Sequence, residues 1–156
     1  ISAVAETPGI LRVRFTSPHP KDFPPALLQA IAAHPKICKH IHLPLQSGSD
    51  RILELMGRTY SAGEYLALVE RIRTTIPHVT LTTDIICGFC SESEEDFLAT
   101  QRLVEQVQFD SAYIFKYSVR PNTKAAEYPD DVEKREKERR HRLVLDLQRK
   151  ISLSKK

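Results

Sequence analysis

Three groups of side chains in this chain have the types and spacing to do chemistry. Cys87 and Cys90 form a Cys-x-x-Cys pair, the spacing of a metal ligand set or a redox dithiol. Metal sites need three or four ligands and the remaining cysteine, Cys38, begins a different segment, so the pair reads as packing thiols and no metal site is expected. His40 and His42 share one face of an alternating run. Such a pair is either a ligand or acid–base set or, as the more frequent case, two hydrogen-bonded interior residues. Asp84 lies on the polar face of another alternating run, near its end. A carboxylate there needs a partner or a ligand, because burying it alone is costly. The run Gln46-Ser47-Gly48-Ser49 offers an amide, hydroxyls and backbone N–H groups just before a helix pattern. That set suits ribose hydroxyls, a carboxylate or a phosphate, although the serines serve equally well as helix caps. It lacks the lysine of a phosphate-binding P-loop. Arg51, Arg58, Lys116 and Arg120, with Tyr60 and Tyr117 close in sequence, have the charge and stacking surfaces to meet RNA, and equally the character of solvated surface.

Four alternating segments must position these groups. Residues 11–15, 40–45, 79–86 and 112–117 each read as a strand with one apolar and one polar face. Helices fit between them: one begun by Asp22 with Pro24 and Pro25 in its first turn, one running from residue 50 to Gly57, one opened by the capping box Ser61 to Glu64, and one capped by Ser91 or Ser93. The last, from Asp131 onward, carries Leu143, Leu147 and Ile151 in four-residue steps, and its mixed charges over residues 133–142 read as an exposed face with i to i+4 pairs. Strands alternating with helices imply parallel pairing, hence an α/β fold. The loops at 17–21, 46–50, 87–92 and 118–123 then share the carboxyl-end face where such folds bind ligands. Each strand has a polar side, so helices should cover only one face and the other should line a concave interior. About four strands cannot close a barrel, so a partial (β/α) barrel is expected over residues 1–130, with residues 131–156 as a C-terminal charged helix.

Composition permits this and excludes little else. The 156 residues are 41% hydrophobic, enough for one core, and a net charge of +3 tolerates a nucleic-acid partner without requiring one. No apolar run has membrane-spanning length and no segment reads as a secretion signal, so no membrane partner is expected. Three cysteines do not make a disulfide framework, which suggests a reducing compartment. The start at Ile1, inside what reads as an element, suggests a fragment.

Several segments resemble one known family. Arg14-Phe15-Thr16-Ser17-Pro18-His19-Pro20-Lys21-Asp22-Phe23, His42-Leu43-Pro44-Leu45-Gln46-Ser47-Gly48-Ser49-Asp50-Arg51, Thr82-Thr83-Asp84-Ile85-Ile86, Gly88-Phe89 and Phe109-Asp110-Ser111-Ala112-Tyr113 with Phe115-Lys116-Tyr117-Ser118 are similar to the radical S-adenosylmethionine methylthiotransferases, and within them to the tRNA (MiaB-type) branch. The resemblance implies a partial TIM-like radical SAM barrel from a transferase that adds a methylthio group to C2 of N6-isopentenyladenosine at tRNA position 37. It implies S-adenosylmethionine and two [4Fe-4S] clusters as cofactors, with the cluster ligands outside this chain. Gln46, Ser47, Gly48, Thr83, Asp84, Gly88 and Tyr117 match the family's cofactor edge, Arg58, Lys116 and Arg120 are candidates for RNA contact, and no catalytic residue is assigned. The implied partners are tRNA at its anticodon loop and a reductant protein, with no DNA, in the cytoplasm or, in a eukaryote, an organelle matrix. The resemblance implies that residues 1–130 are the barrel from its third strand onward and that the helix over 131–156 leads to a missing RNA-binding domain. The chain departs from the family in lacking its Cys-x-x-x-Cys-x-x-Cys motif, so the fragment alone should be inactive, and in carrying Gly-Phe-Cys-Ser-Glu where many members have Gly-Phe-Pro-Gly-Glu. That removes a glycine's backbone freedom at Ser91 and marks Cys90 as a substitution, not a ligand. The alternatives are a methylthiotransferase for threonylcarbamoyladenosine in tRNA or for a ribosomal protein, and a cluster-free half-barrel that binds RNA or protein.

Overall fold

Alternation builds the sheet, and parallel order follows from the helices between its strands. The computed structural model describes residues 1–16 and 19–155. In chain order the elements are α1 (Ser2–Glu6), α2 (Pro25–Ala33), β1 (His40–His42), α3 (Asp50–Leu55), α4 (Ala62–Thr75), β2 (Thr80–Cys87), α5 (Glu94–Val107), β3 (Ser111–Lys116) and α6 (Lys134–Ser154), with 3₁₀ turns at Pro20–Asp22 and Lys124–Glu127. Among the described residues the sheet has three parallel strands in the order β1-β2-β3. Pairing of β1 with β2 continues past His42, through Leu43 N–H to the Thr82 carbonyl (2.8 Å) and Gln46 N–H to the Asp84 carbonyl (2.8 Å).

The first expected strand, residues 11–15, is reduced to a single bridge between Val13 and Ile37. Its partner is the exit of a turn, which offers the Lys36 carbonyl (2.8 Å) and the Cys38 N–H (3.0 Å) before the chain moves on to pair with β2, and Leu11 stays exposed. Of the loop expected at 17–21, Ser17 and Pro18 lie outside the described residues. Asp22 does not cap α2: it sits in a 3₁₀ turn, and Pro24 is the cap. Pro24 and Pro25 have no N–H, so a carboxylate at Asp22 finds no donor where a cap would need one.

Helices cover one face of the sheet, packing in succession as α2 on α4, α4 on α5 and α5 on α6. Beneath them lie Ile41, Leu43, Leu45, Leu81, Thr83, Ile85 and Cys87, all buried. The capping box Ser61–Glu64 starts α4, and Ser93 with Asp96 forms a second one on α5. The opposite, concave face carries His40, His42, Thr82 and Asp84, with Tyr113 and Phe115 exposed on β3.

The charged run at 133–142 is not an exposed face throughout. Lys137 and Arg140 are 7% and 5% exposed, because α6 lies against β3 and β2 and turns these two residues inward. Arg140 Nη1 donates to the Glu92 carboxylate and to the Glu92 carbonyl, each at 2.8 Å, and its Nε donates to Glu136 at 2.8 Å. The Gly88 N–H also reaches Glu92 Oε1 (2.9 Å), so one buried carboxylate joins α6 to the loop after β2. Removing one partner of a buried pair leaves the other charge uncompensated. Arg140→Met should therefore destabilise the full-length protein by about 3–5 kcal/mol in denaturant unfolding, whereas Arg149→Met, at an exposed pair with Asp146, should change stability by less than about 1 kcal/mol.

Candidate functional site

The strand ends open onto a cavity of about 470 Å³, within the range of small-molecule sites. Gln46, Arg58, Asp84, Phe89, Lys116, Tyr117 and Arg120 are among its lining residues. A larger depression of about 650 Å³ lies on the outer helical surface between α4 and α5, away from the strand ends.

Of the seven residues that match the family's cofactor edge and the three RNA candidates Arg58, Lys116 and Arg120, six therefore meet at one place. Gln46 arrives there in a left-handed conformation, φ 72°, which a residue with a side chain rarely adopts. Its N–H and carbonyl are held by the Asp84 carbonyl (2.8 Å) and the Ile86 N–H (2.9 Å), so the pairing of β1 with β2 enforces the strained turn. Asp84 projects from the concave face of β2, 3.1 Å from His42 Nε2. Tyr117 stands edge-on to Phe89, ring centroids 4.8 Å apart, with Lys137 Nζ 5.2 Å from its centre. Lys137 Nζ also donates to the Tyr117 carbonyl (3.2 Å) and pairs with Asp130 (2.5 Å). Burial first, then the neighbouring Cys90, pushes the Tyr117 phenol up to about 12.

The other four occupy the frame behind the cavity and do not line it. Ser47 is fully buried against Thr100. Gly48 meets α5 so closely that a Cβ would lie 2.5 Å from the Ala99 carbonyl oxygen. Thr83 bridges the strands, its hydroxyl donating to the Leu43 carbonyl (2.8 Å) and accepting from the Leu45 N–H (2.9 Å). Gly88, φ 75°, has the stem of Lys137 where a Cβ would be. Two other RNA candidates are also structural. Tyr60 is buried, donating to the Pro44 (3.1 Å) and Leu45 (3.0 Å) carbonyls, and Arg51 pairs with Asp96 and Ser91. Lys137 escapes a sequence reading because its charge places it on the surface; the glycine at 88, which leaves room for it, is the local signal.

Ser91 takes a left-handed backbone although it carries a side chain. Ser91 takes φ 60°, its N–H held by Asp131 (2.7 Å) and its carbonyl by Arg51 (2.6 Å). Tertiary contacts thus impose on serine the conformation a glycine would adopt freely.

Residues 1–104 match the family model described as the Radical SAM superfamily. The chain belongs to this superfamily. It is 52% identical over 155 residues to a tRNA-2-methylthio-N(6)-dimethylallyladenosine synthase of Chlorobium chlorochromatii, covering 99% of this chain and 34% of that protein. Proteins of the same name from Pelotomaculum thermopropionicum and Endomicrobium trichonymphae are 50% and 48% identical over 94% and 98% of the chain, which covers 33% and 37% of them. The chain thus spans about a third of the length of these curated relatives. Among solved structures, coproporphyrinogen III oxidase (HemN) of Escherichia coli, described as a radical SAM enzyme, superposes with a TM-score of 0.70 at 17% identity over 85% of this chain and 31% of its own. That likeness supports the partial barrel fold.

Radical SAM enzymes of this type use S-adenosylmethionine with [4Fe-4S] clusters. The cavity fits the former. Its cations suit a carboxylate, Asp84 suits an ammonium or hydroxyls, and the aromatic wall suits an adenine. Arg58 Nε is buried there with no hydrogen-bond partner among the described residues, a donor awaiting an acceptor. A cluster does not fit. Cys87 and Cys90 are buried in apolar packing, and the described residues hold no group of three His, Cys, Asp or Glu side chains able to bind a metal. Burial pushes the Cys87 thiol up to about 12.

Two outcomes follow from these environments. In the native protein at pH 8, peptide-mapped alkylation should label half-buried Cys38 and spare Cys87 and Cys90. Ser91→Gly should relieve the left-handed strain and raise stability by about 0.5–1 kcal/mol in chemical unfolding, after the loss of the exposed Arg51 contact to the hydroxyl.

Proposed function

We propose that this chain is the cofactor-holding part of a tRNA methylthiotransferase, which places a methylthio group on C2 of N6-dimethylallyladenosine at position 37 beside the anticodon. The observation that carries the reading is 52% identity across 155 residues with a relative named for that reaction. The cavity supports it, because a polar ligand site lies where the strand ends converge. When bound, S-adenosylmethionine supplies the radical chemistry and the methyl group.

In this reading Gln46, Asp84 and Tyr117 face the cofactor directly. Ser47, Gly48, Thr83 and Gly88 act behind them, setting the backbone on which the first three stand. Arg58, Lys116 and Arg120 give the rim of the same cavity a positive charge suited to phosphates of the tRNA anticodon loop. Lys116 is shared with Glu138 at 3.7 Å, which leaves it exchangeable for a phosphate in a polar rim. The cluster cysteines lie outside these residues, electrons come from a reductant protein, and the reaction takes place in the cytoplasm or, in a eukaryote, an organelle matrix. Residues 1–130 are the barrel part, and residues 131–156, which include α6, lead towards an RNA-binding domain.

Disruption of the gene should abolish 2-methylthio-N6-dimethylallyladenosine in tRNA and accumulate N6-dimethylallyladenosine, measured by nucleoside mass spectrometry, with restoration by the full-length wild-type gene. Unchanged 2-methylthio-N6-dimethylallyladenosine, or loss of a methylthio group from threonylcarbamoyladenosine instead, overturns the assignment.

A further inference from the structure

Asp84 presents its carboxylate to the cavity with one oxygen tied back to the sheet. Oδ2 lies 3.1 Å from Nε2 of His42, while among the described residues no hydrogen bond reaches Oδ1. An ionised carboxylate only accepts, so His42 Nε2 carries the proton and donates. On the other side of the same ring, Nδ1 is 2.9 Å from Thr82 Oγ1, whose hydroxyl donates to it when the imidazole is neutral. Thr82 Oγ1 is in turn 3.4 Å from Nε2 of His40. Burial first, then the charges of Arg14 and His42, keeps His40 below the ordinary histidine range, with Asp110 opposing. The sequence His40, Thr82, His42, Asp84 therefore forms one chain of hydrogen bonds along the concave face, each donor facing an acceptor, with the anion at the cavity end.

Strand register makes the arrangement. His42 sits directly opposite Thr82, and Asp84 is the next residue on the same face of β2. The Tyr113 ring, with its centroid 6.1 Å from that of His42 and the planes at 65°, closes the imidazole from β3. This packing restricts the imidazole that holds Asp84.

We infer that His42 and Thr82 are positioning residues for Asp84. They hold its carboxylate with Oδ2 against the sheet and Oδ1 turned towards the hydroxyl or ammonium donors of bound S-adenosylmethionine. The inference rests on the cofactor role proposed for Asp84 above. The physical need for a tether comes from the same cavity wall. Arg58, Lys116 and Arg120 line it, and a freely rotating carboxylate would be drawn to these cations and lost to the ligand. The imidazole N–H holds the carboxylate through one directed hydrogen bond to Oδ2 and leaves Oδ1 to face the cavity.

The test is a double-mutant cycle on the full-length, cluster-reconstituted protein, with S-adenosylmethionine affinity measured by calorimetry and folding checked by thermal melting. Asp84→Asn should weaken binding by about tenfold, and His42→Phe, which keeps a ring but removes the donor, by about fivefold. The double variant should bind within about twofold of Asp84→Asn alone, because the histidine then has no carboxylate to position. His42→Gln, whose amide can donate to Oδ2, should recover most of the loss. Thr82→Val should give a weaker form of the His42→Phe effect, and it carries the test if His42→Phe fails to fold. Wild-type affinity in His42→Phe, or losses that multiply in the double variant, overturns the inference while leaving Asp84 in its role. Wild-type affinity in Asp84→Asn overturns it together with that role, and the nucleoside analysis still decides the methylthiotransferase reading independently.

Discussion

The close approach of Gly48 to α5 is the constraint on which the site depends. With no Cβ, the backbone after β1 rests directly on the Ala99–Thr100 turn of the helix, and the Gly48 N–H donates to the Thr100 hydroxyl at 2.9 Å. Once the chain is pinned there, Ser49 is placed to cap α3 and to donate to Asp96 at 2.6 Å, and Asp96 also accepts from the Ser93 N–H that opens α5. A single carboxylate thus ties two helix starts together. Burial alone would raise its pKa, but hydrogen bonds from Arg51, Ser49 and Ser93 win and hold it well below the usual carboxylate range. The strained Gln46 is a consequence of the same junction: between the pairing of β1 with β2 and the seat of Gly48 on α5, the backbone has to turn left-handed.

The second tie comes from the far end of the chain. Lys137 crosses Gly88 and ends at the Tyr117 carbonyl, while Arg140 reaches Glu92 on the loop between β2 and α5. Burying such charges carries a large desolvation penalty, offset here by several hydrogen bonds each and by the apolar packing of Val144 and Ile151 below them. The result is a helix that sets the position of both the β2 loop and the Tyr117 wall.

The two faces of the sheet divide the work by polarity. On β1 and β2 the helix-covered face is apolar apart from Thr83, whose hydroxyl is satisfied between the two strands. The concave face keeps its polar groups paired with one another along the strands, and leaves an acceptor at Asp84 and a buried donor at Arg58 where the cavity opens. An unsatisfied donor is costly in a dry interior and useful at a ligand site, so Arg58 Nε marks the functional face, whereas the other buried polar atom without a partner among the described residues, Gln148 Oε1, lies beside Phe109 just before β3.

Alternation, capping and turn residues are local properties, so the sequence by itself determined the parallel α/β class, the capping box that opens α4 and the face on which His42 and Asp84 lie. It also determined that the strand-end loops, and with them Gln46, Asp84 and Tyr117, would share one end of the sheet. Only the tertiary structure decided which members of those loops face the cavity, because Ser47, Gly48 and Gly88 are turned away by contacts with segments distant in sequence: Thr100, the Ala99 backbone and Lys137. The same holds for the strand expected at 11–15, which had the right pattern but met only the end of a turn. It holds equally for Lys137 and Arg140, whose burial depends on Glu92 and Gly88 arriving from another element, and for Ser91, where distant partners impose a backbone conformation that its residue type disfavours.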